Sequence, residues 1–434
     1  MADAASFAPP RRQLGLLSAT ALVVANMIGT GVFTTSGFLL ADLHSPGIVL
    51  TAWAVGGVVA ALGALSYGAL ARRIPESGGE YLFLSRTLHP AAGYIAGWLS
   101  LLVGFSAPLA GSAFAFGEYT KTWLPGWPPQ FAGTLLVVGF AAVHSWHVQR
   151  GAWIQNAAVV LKVALIVGFA AVAAPRLPAP APTPAAPASL AAFGVALVWI
   201  SFSYSGWNAA VYVGSEVRDA ERTLPRALLL GTGLVTALYL ALNFVFVFAA
   251  PTTQLAGKLE VGRLAAEALG GRAWANAVTA IVALALVSSI SSLIMAGPRV
   301  YARMAADGCL PRGLAAGHGP PRTAIALQAG LALVMLWSAS YEWLLTYMGF
   351  TLSLGTAATV AGLIALRRRE GASLPVPGWP VVPVLFVAAV LAMTAFTVWR
   401  RPVESLFGLG TLALGWLAWK WTRAKSEAAA PPAA

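Results

Sequence analysis

The chain has 434 residues, 58% of them hydrophobic and only 10% charged, with a mean hydropathy of +0.75. A soluble domain of this length carries far more charge, and the apolar runs here are long enough to cross a bilayer repeatedly, so a water-soluble fold is excluded. The net charge of +12 does not indicate a nucleic-acid partner, because the basic residues sit at the ends of apolar runs and form no stripe with interleaved stacking aromatics. A single cysteine, Cys309, excludes an internal disulfide, and no Cys/His cluster has metal-ligand spacing, so neither a metal nor a cofactor is expected.

Residues 1–13 form a polar tail with Arg11 and Arg12, and the apolar run that follows is too long for the core of a cleaved signal peptide. Twelve apolar spans are predicted, near 14–41, 47–71, 89–117, 131–149, 152–174, 190–215, 225–250, 273–305, 323–339, 343–366, 379–400 and 403–421. Residues 422–434, rich in Ala and Pro, read as a disordered C-terminal tail. With the N-terminus inside, the inner loops collect Arg72, Arg73, Arg86, Arg150, Arg218, Arg222, Arg226, Arg299, Arg303, Arg312, Arg322 and Arg367 to Arg369. The outer loops hold only Lys121, Arg176, Lys258, Arg263, Arg272, Arg400 and Arg401. That bias predicts a multi-pass protein of the plasma (inner) membrane, surrounded by lipid bilayer, with both termini cytoplasmic. Residues 175–189 carry Pro-Ala repeats that cannot pack as a helix. They divide spans one to five (14–174) from spans six to ten (190–366), and the last two spans (379–421) follow.

The first span is interrupted in its middle by Asn26-Met27-Ile28-Gly29-Thr30-Gly31-Val32-Phe33. Each glycine weakens a helix by about 1 kcal/mol relative to alanine. At membrane depth, freed backbone groups are tolerated only where protein or a polar cavity satisfies them. Two readings fit: an opened helix that offers amides and carbonyls to a solute, or a small-residue seam against a neighbouring helix. The sixth span is interrupted in the matching place by Ser201-Phe202-Ser203-Tyr204-Ser205-Gly206-Trp207-Asn208. Paired breaks, one in each half, point to an inverted-repeat transporter with its site near the bilayer midplane. Positive half-helix ends suit an anionic group and unwound carbonyls suit an ammonium, so a zwitterionic amino acid matches both.

Five blocks then occur in a fixed order: Ile28-Gly29-Thr30-Gly31-Val32-Phe33, Pro75-Glu76-Ser77-Gly78-Gly79-Glu80-Tyr81, Phe202 to Asn208, Glu216-Val217-Arg218 through Leu224-Pro225-Arg226, and Gly297-Pro298-Arg299-Val300-Tyr301 with Asp307-Gly308. Over spans one to ten they resemble the amino acid–polyamine–organocation permeases, in particular bacterial members of the L-type and cationic amino acid transporter group. The resemblance implies an all-α membrane protein with twelve transmembrane helices: a LeuT-type 5+5 inverted repeat, with helices 1 and 6 broken, plus two extra C-terminal helices. It also implies that the amides of Thr30, Gly31 and Val32 hold the substrate carboxylate. The carbonyls of Met27 and Ile28, with those of Phe202, Ser203 and Ser205, would hold the α-ammonium. Phe202 matches the aromatic gate that closes over the substrate from outside; its plain alternative is an ordinary lipid- or core-facing phenylalanine. Asn208 matches a position beside the pocket, where it contacts substrate or satisfies the helix end opened by Gly206. The loop Pro75–Leu88 resembles a re-entrant or membrane-parallel segment that helps close the inner side. A subset of the family is disulfide-linked to a glycoprotein heavy chain through the loop after the third span; here that loop, Thr120–Gln130, has no cysteine, so no such partner is expected.

Lys162 is the one Lys or Arg near the middle of a span, the others lying at span ends or in loops. Lysine at a helix centre costs roughly 2.5–3.5 kcal/mol on insertion scales. With ten or so residues on either side, about 15 Å of helix, snorkelling to an interface would be strained. In sodium-independent relatives a lysine on the fifth span fills the volume where sodium-coupled relatives bind an ion. By that resemblance Lys162 would bridge first-span carbonyls near Gly29 to the eighth span, with Ser288 and Ser289 favoured over Ser291 and Ser292. It would act as a fixed strut or as a proton carrier.

The expected function is sodium-independent secondary transport of L-amino acids by alternating access, as an exchanger or a proton-coupled carrier. The stretches Gly104–Gly117 and Ala283–Ser292 bring no charge to the pocket before Glu118, which predicts a neutral side chain on the substrate. A cationic amino acid or polyamine transporter would need an acidic residue facing the pocket. A transport-inactive amino acid sensor would carry long signalling tails, and both tails are short. An intramembrane enzyme would need a catalytic set inside the spans, whereas His144, His147 and His318 all fall at inner ends. No enzyme activity is expected.

Overall fold

In the computed structural model the described residues are 14–146, 152–179, 189–306, 308, 310–315 and 320–428, without the side chains of 152–158, Arg303 and 424–428. The tail 1–13, residues 180–188 of the Pro/Ala connection, residues 429–434, and His147, Arg150, Asp307, Cys309 and His318 lie outside them. Among the described residues the structure is helical throughout, and the one strand-like pairing joins Leu14 to Val217. Multi-pass membrane architecture follows from the helices themselves. Eight are long and apolar enough to cross a bilayer, and a bent pair makes a ninth.

The bent pair is α1 (Leu16–Met27) and α2 (Gly31–Leu43), which meet at 42°. Next come α3 (Pro46–Arg73) and the short α4 (Gly79–Thr87). Proline at the start of α3 loses no hydrogen bond, since that amide has no intrahelical partner. Then α5 (Pro90–Leu99) runs through a π-helical stretch, Ser100–Ser106, into α6 (Ala107–Thr120). After α7 (Pro129–Trp146) and α8 (Ala152–Ala173), α9 (Leu190–Tyr204) stops short and the chain continues as a 3₁₀ segment, Ala209–Glu216. The remaining helices are α10 (Ala220–Phe248), α11 (Thr252–Leu255), α12 (Val261–Ala306), α13 (Arg322–Ser338), α14 (Tyr341–Glu370), α15 (Val381–Arg400) and α16 (Pro402–Ala428). Three helices differ most from the sequence reading. Helix α12 starts at Val261 rather than near 273 and bends at Gly270 and Gly271. Helix α10 begins before Pro225 and carries it inside, and α16 continues past Trp421 to Ala428, taking in half of the segment read as a tail.

The end of the bundle at Leu14 is called inner and the opposite end outer, after the arginine bias of the sequence. Glycines let α3 sit at the centre: a Cβ on Gly56 would stand 2.3 Å from Ile200 of α9, one on Gly57 2.4 Å from Thr236 of α10, and one on Gly63 2.8 Å from Trp207. Such small-residue crossings replace the hydrophobic drive that lipid cannot supply. At the outer end Gly257 donates its amide to Gly37 O at 2.7 Å, laying the α11 segment over α2. Lys121 bridges Glu118 at 2.8 Å and Glu260 at 2.9 Å there. Burial opposes the charge on Glu260, but Lys121 and Arg263 outweigh it and hold the carboxyl below its usual range.

Candidate functional site

The break in the first span is made by one turn. Helix α1 ends at Met27, Ile28 adopts φ −75° and ψ 79°, and Gly29 donates its amide back to Met27 O at 2.8 Å. That is an inverse γ-turn. Helical geometry resumes at Thr30, and the first backbone bond of the new helix runs from Phe33 N to Thr30 O at 3.0 Å. Among the described residues the amides of Thr30, Gly31 and Val32 have no partner. They are the orphan donors of a helix start, at the positive end of the α2 dipole.

The two glycines of this stretch do different things, and neither is left-handed. A Cβ on Gly31 would lie 2.3 Å from Ser203 Oγ and 2.6 Å from Ser203 Cα, so Gly31 is the seam against α9. A Cβ on Gly29 would meet only Met27 O, at 3.9 Å, so space beside the free amides is open. The motif therefore contains both a close-packed seam, at Gly31, and an opened helix, at Ile28 and Gly29.

The sixth span breaks differently. Ser205 leaves the helix with ψ 147°, and Gly206 takes φ +98°, where a side chain is strained. A Cβ there would also stand 2.7 Å from the backbone of Asn26. Gly31 thus presses on Ser203 while Gly206 presses on Asn26, and the two interruptions hold each other in register.

The carbonyls at the breaks are already engaged. The Tyr239 hydroxyl makes a short hydrogen bond to Met27 O and reaches Ser203 O at 3.1 Å, joining both breaks through one group. Phe202 O accepts from Ser205 N at 2.9 Å. Each carbonyl keeps a second lone pair for a ligand. Behind Tyr239, Asn243 donates to Tyr239 O at 2.9 Å, Ser36 donates to Asn243 Oδ1 at 2.5 Å, and Trp53 Nε1 donates to Ser36 Oγ at 2.9 Å. The sequence reading passed over Tyr239 and Asn243. Their signal was two polar residues four apart, on one face at the centre of an apolar span.

Residues 14–409 match the family described as amino acid permease. The chain belongs to that family. It is a transporter and not an enzyme. The permease is similar to the mouse large neutral amino acids transporter small subunit 2, at 28% identity over 93% of this chain and 80% of that protein. It is also similar to the mouse Asc-type amino acid transporter 1, at 28% over 93% and 80%. Similarity to the human b(0,+)-type amino acid transporter 1 is 27% over 90% and 84%.

In the permease, Lys162 is buried and its ammonium donates to Ile28 O at 3.1 Å. Ser288 and Ser289 are partly exposed on α12 and, among the described residues, form no hydrogen bond with it; Ser291 instead meets His144 Nε2 at 2.9 Å. Phe202 is buried beside the break, 7% exposed. The aromatic contacts on the outer side come from other residues. Phe38 stacks on Tyr341 at 6.1 Å and meets Trp199 edge-on at 6.3 Å, while Phe114 lies 6.0 Å from Tyr341. Tyr341 is tied to Thr34 by a 2.8 Å hydrogen bond between hydroxyls, and Thr35 to Ser203 at 3.0 Å.

Asn208 is turned away from the α2 amides. Its Nδ2 donates to Glu80 Oε1 at 3.0 Å, and the same oxygen accepts from the Tyr67 hydroxyl at 2.6 Å. Glu80 is the acidic residue that the sequence reading did not find beside the breaks. Its location in a loop block concealed that α4 carries it back against span six.

Proposed function

We propose that the permease carries neutral L-amino acids by alternating access and without sodium. The observation that supports this most directly is the set of free amides at Thr30, Gly31 and Val32 beside the open space at Gly29. Three convergent donors at a positive helix end suit a carboxylate. The carbonyls of Met27, Ile28, Phe202, Ser203 and Ser205 are the acceptors for the α-ammonium, and Phe202 is the gate. The name of the mouse large neutral amino acids transporter small subunit 2 supports a neutral cargo. The Lys162 ammonium on Ile28 O supports sodium independence, because it supplies a fixed cation at the carbonyls of the first break. Glu80 does not favour a cationic substrate, since one of its oxygens is taken by two protein donors.

In this reading the helices form twelve spans, as a 5+5 inverted repeat from α1–α8 and α9–α14 plus α15 and α16, with both termini cytoplasmic. The loop Thr120–Gln130 has no cysteine, so a heavy chain would have no disulfide to it there. The test is purified protein in liposomes, with uptake of labelled neutral and cationic amino acids measured against internal amino acid, a pH gradient and sodium. Neutral amino acid uptake without sodium is expected. Accumulation driven by a sodium gradient would overturn the role given to Lys162.

A further inference from the structure

We propose that Glu80 is a proton-binding site that sets how firmly the inner half of span six is docked, a positioning residue of the transport cycle and not a substrate ligand. The inference rests on the alternating-access reading above.

The inner half of span six, from Gly206 to Val217, is stitched to the loop between α3 and α4 and to the start of α4 at Asn208, Tyr212, Gly214 and Ser215. Ser77 N donates to Ser215 Oγ at 2.9 Å and Ser215 N to Ser77 Oγ at 3.0 Å, a reciprocal pair. A Cβ on Gly214 would stand 2.4 Å from Pro75 O, and one on Gly79 (φ +54°) 2.3 Å from the Tyr212 ring. Leu14, just ahead of α1, pairs with the far end through Leu14 N to Glu216 O at 3.0 Å and Arg218 N to Leu14 O at 2.9 Å. Backbone and hydroxyl bonds of this kind are the same at any physiological pH. The carboxyl of Glu80, held by Asn208 of span six and Tyr67 of α3, is different.

The groups facing that carboxyl are Tyr67 from α3, Asn208 and Tyr212 from span six, and Gly355 from α14, whose Cβ position lies 3.8 Å from Glu80 Oε2. On its own helix, Arg86 is turned to the exposed Glu76 at 2.7 Å. No cation among the described residues acts on the carboxyl. Burial therefore pushes Glu80 above the usual carboxylate range, although the hydrogen bonds from Tyr67 and Asn208 pull the other way. When span six undocks, the carboxyl, half-buried while docked, becomes fully hydrated and its affinity for a proton falls to the ordinary value, near pH 4.3. A group whose pKa is higher in the docked state stabilises docking at low pH and loses that effect as pH rises through the docked value. Docking is therefore firm in acid and loosens toward neutral and alkaline pH.

The test reads docking without transport. Val211, buried on the inner half of span six, is replaced by cysteine (V211C) in a chain whose native cysteine is removed (C309A), and maleimide labelling in nanodiscs is expressed at each pH relative to that of free glutathione, which cancels the ionisation of the thiol itself. Labelling should rise about tenfold between about pH 5 and about pH 8. Adding E80Q, which keeps an acceptor for Tyr67 and Asn208 but cannot ionise, should leave labelling slow and flat within about twofold. A pH dependence that survives E80Q, or flat labelling without it, overturns the proposal. Y67F provides a second arm should E80Q fail to fold. It removes a donor to the ionised form and should move the midpoint upward, and an unmoved midpoint overturns the proposal too. Amino acid exchange in liposomes with flat labelling would sink only this inference. A pH-dependent label in protein that exchanges no amino acid would sink only the transport reading.

Discussion

The two breaks solve one problem by different means. Span one opens by a single γ-turn at Ile28, with ordinary φ values and α-helix on both sides. Span six opens over four residues, needs a left-handed glycine at 206, and resumes as a 3₁₀ segment that bends at Val213 (φ −117°, ψ 22°). The first leaves donors free and has its carbonyls held by distant side chains, Lys162 and Tyr239. The second is held by its own turn and by Glu80 through Asn208. Glycine accordingly serves close approach in both spans, at Gly31 and Gly206, and a left-handed backbone conformation in span six alone.

The largest effect should come from joining the breaks badly. In Gly31→Val the new Cβ falls inside the Ser203 side chain, and overpacking of this kind costs about 1–3 kcal/mol when the backbone can yield. Here the partner is the backbone of α9, so binding of any amino acid should be lost and the melting temperature should drop. Thermal shift and equilibrium binding measure both. Unchanged affinity would show that the approach of α2 to α9 is not what shapes the site.

Removing a distant support should cost less. Lys162→Ala leaves Ile28 O without its ammonium, a loss of about 1–3 kcal/mol for an orphaned buried group. Exchange should fall by about tenfold or more while the protein stays folded, since a strut fixes geometry at the break. Wild-type flux at every pH would remove both roles, strut and proton carrier.

Tyr239→Phe is the next step down. It deletes one hydroxyl that serves two carbonyls, and a net hydrogen bond contributes about 0.5–1.5 kcal/mol. Affinity should weaken by about tenfold at most. The decisive comparison is the double variant with Lys162→Ala. If both supports act on the first break, their effects will not add, as expected for groups sharing one backbone segment.

How much of this was legible in the sequence depends on the kind of signal. The breaks were visible because glycine clusters with polar residues at matching places in two spans, one in each half, whereas glycines alone, as in α3, signal only close packing. Lys162 was visible because a central lysine is costly. Tyr239 was harder, since a tyrosine in a span is apolar enough to pass for core, and only Asn243 one turn later marks the face. Glu80 was hidden altogether: its block reads as a loop, and nothing local says that a short helix returns it to Asn208. The serines of span eight show the reverse error. A run of four hydroxyls says that some face is polar, but which one meets a partner depends on helix rotation, and it was Ser291 that met His144.

The smallest structural change tests the open side of the comparison. Gly29 has ordinary φ and nothing but Met27 O near its Cβ position, so Gly29→Ala fits the fold and should raise stability by about 0.4–1 kcal/mol through the unfolded chain. If the space it enters belongs to the substrate, the methyl will stand beside the amides of Thr30 and Gly31 and weaken binding by a few-fold, about the effect of one misplaced methylene. Stability and affinity would then move in opposite directions in one variant. Should both rise together, the open space at Gly29 lies outside the binding site, and the carboxylate position must be sought further along α2.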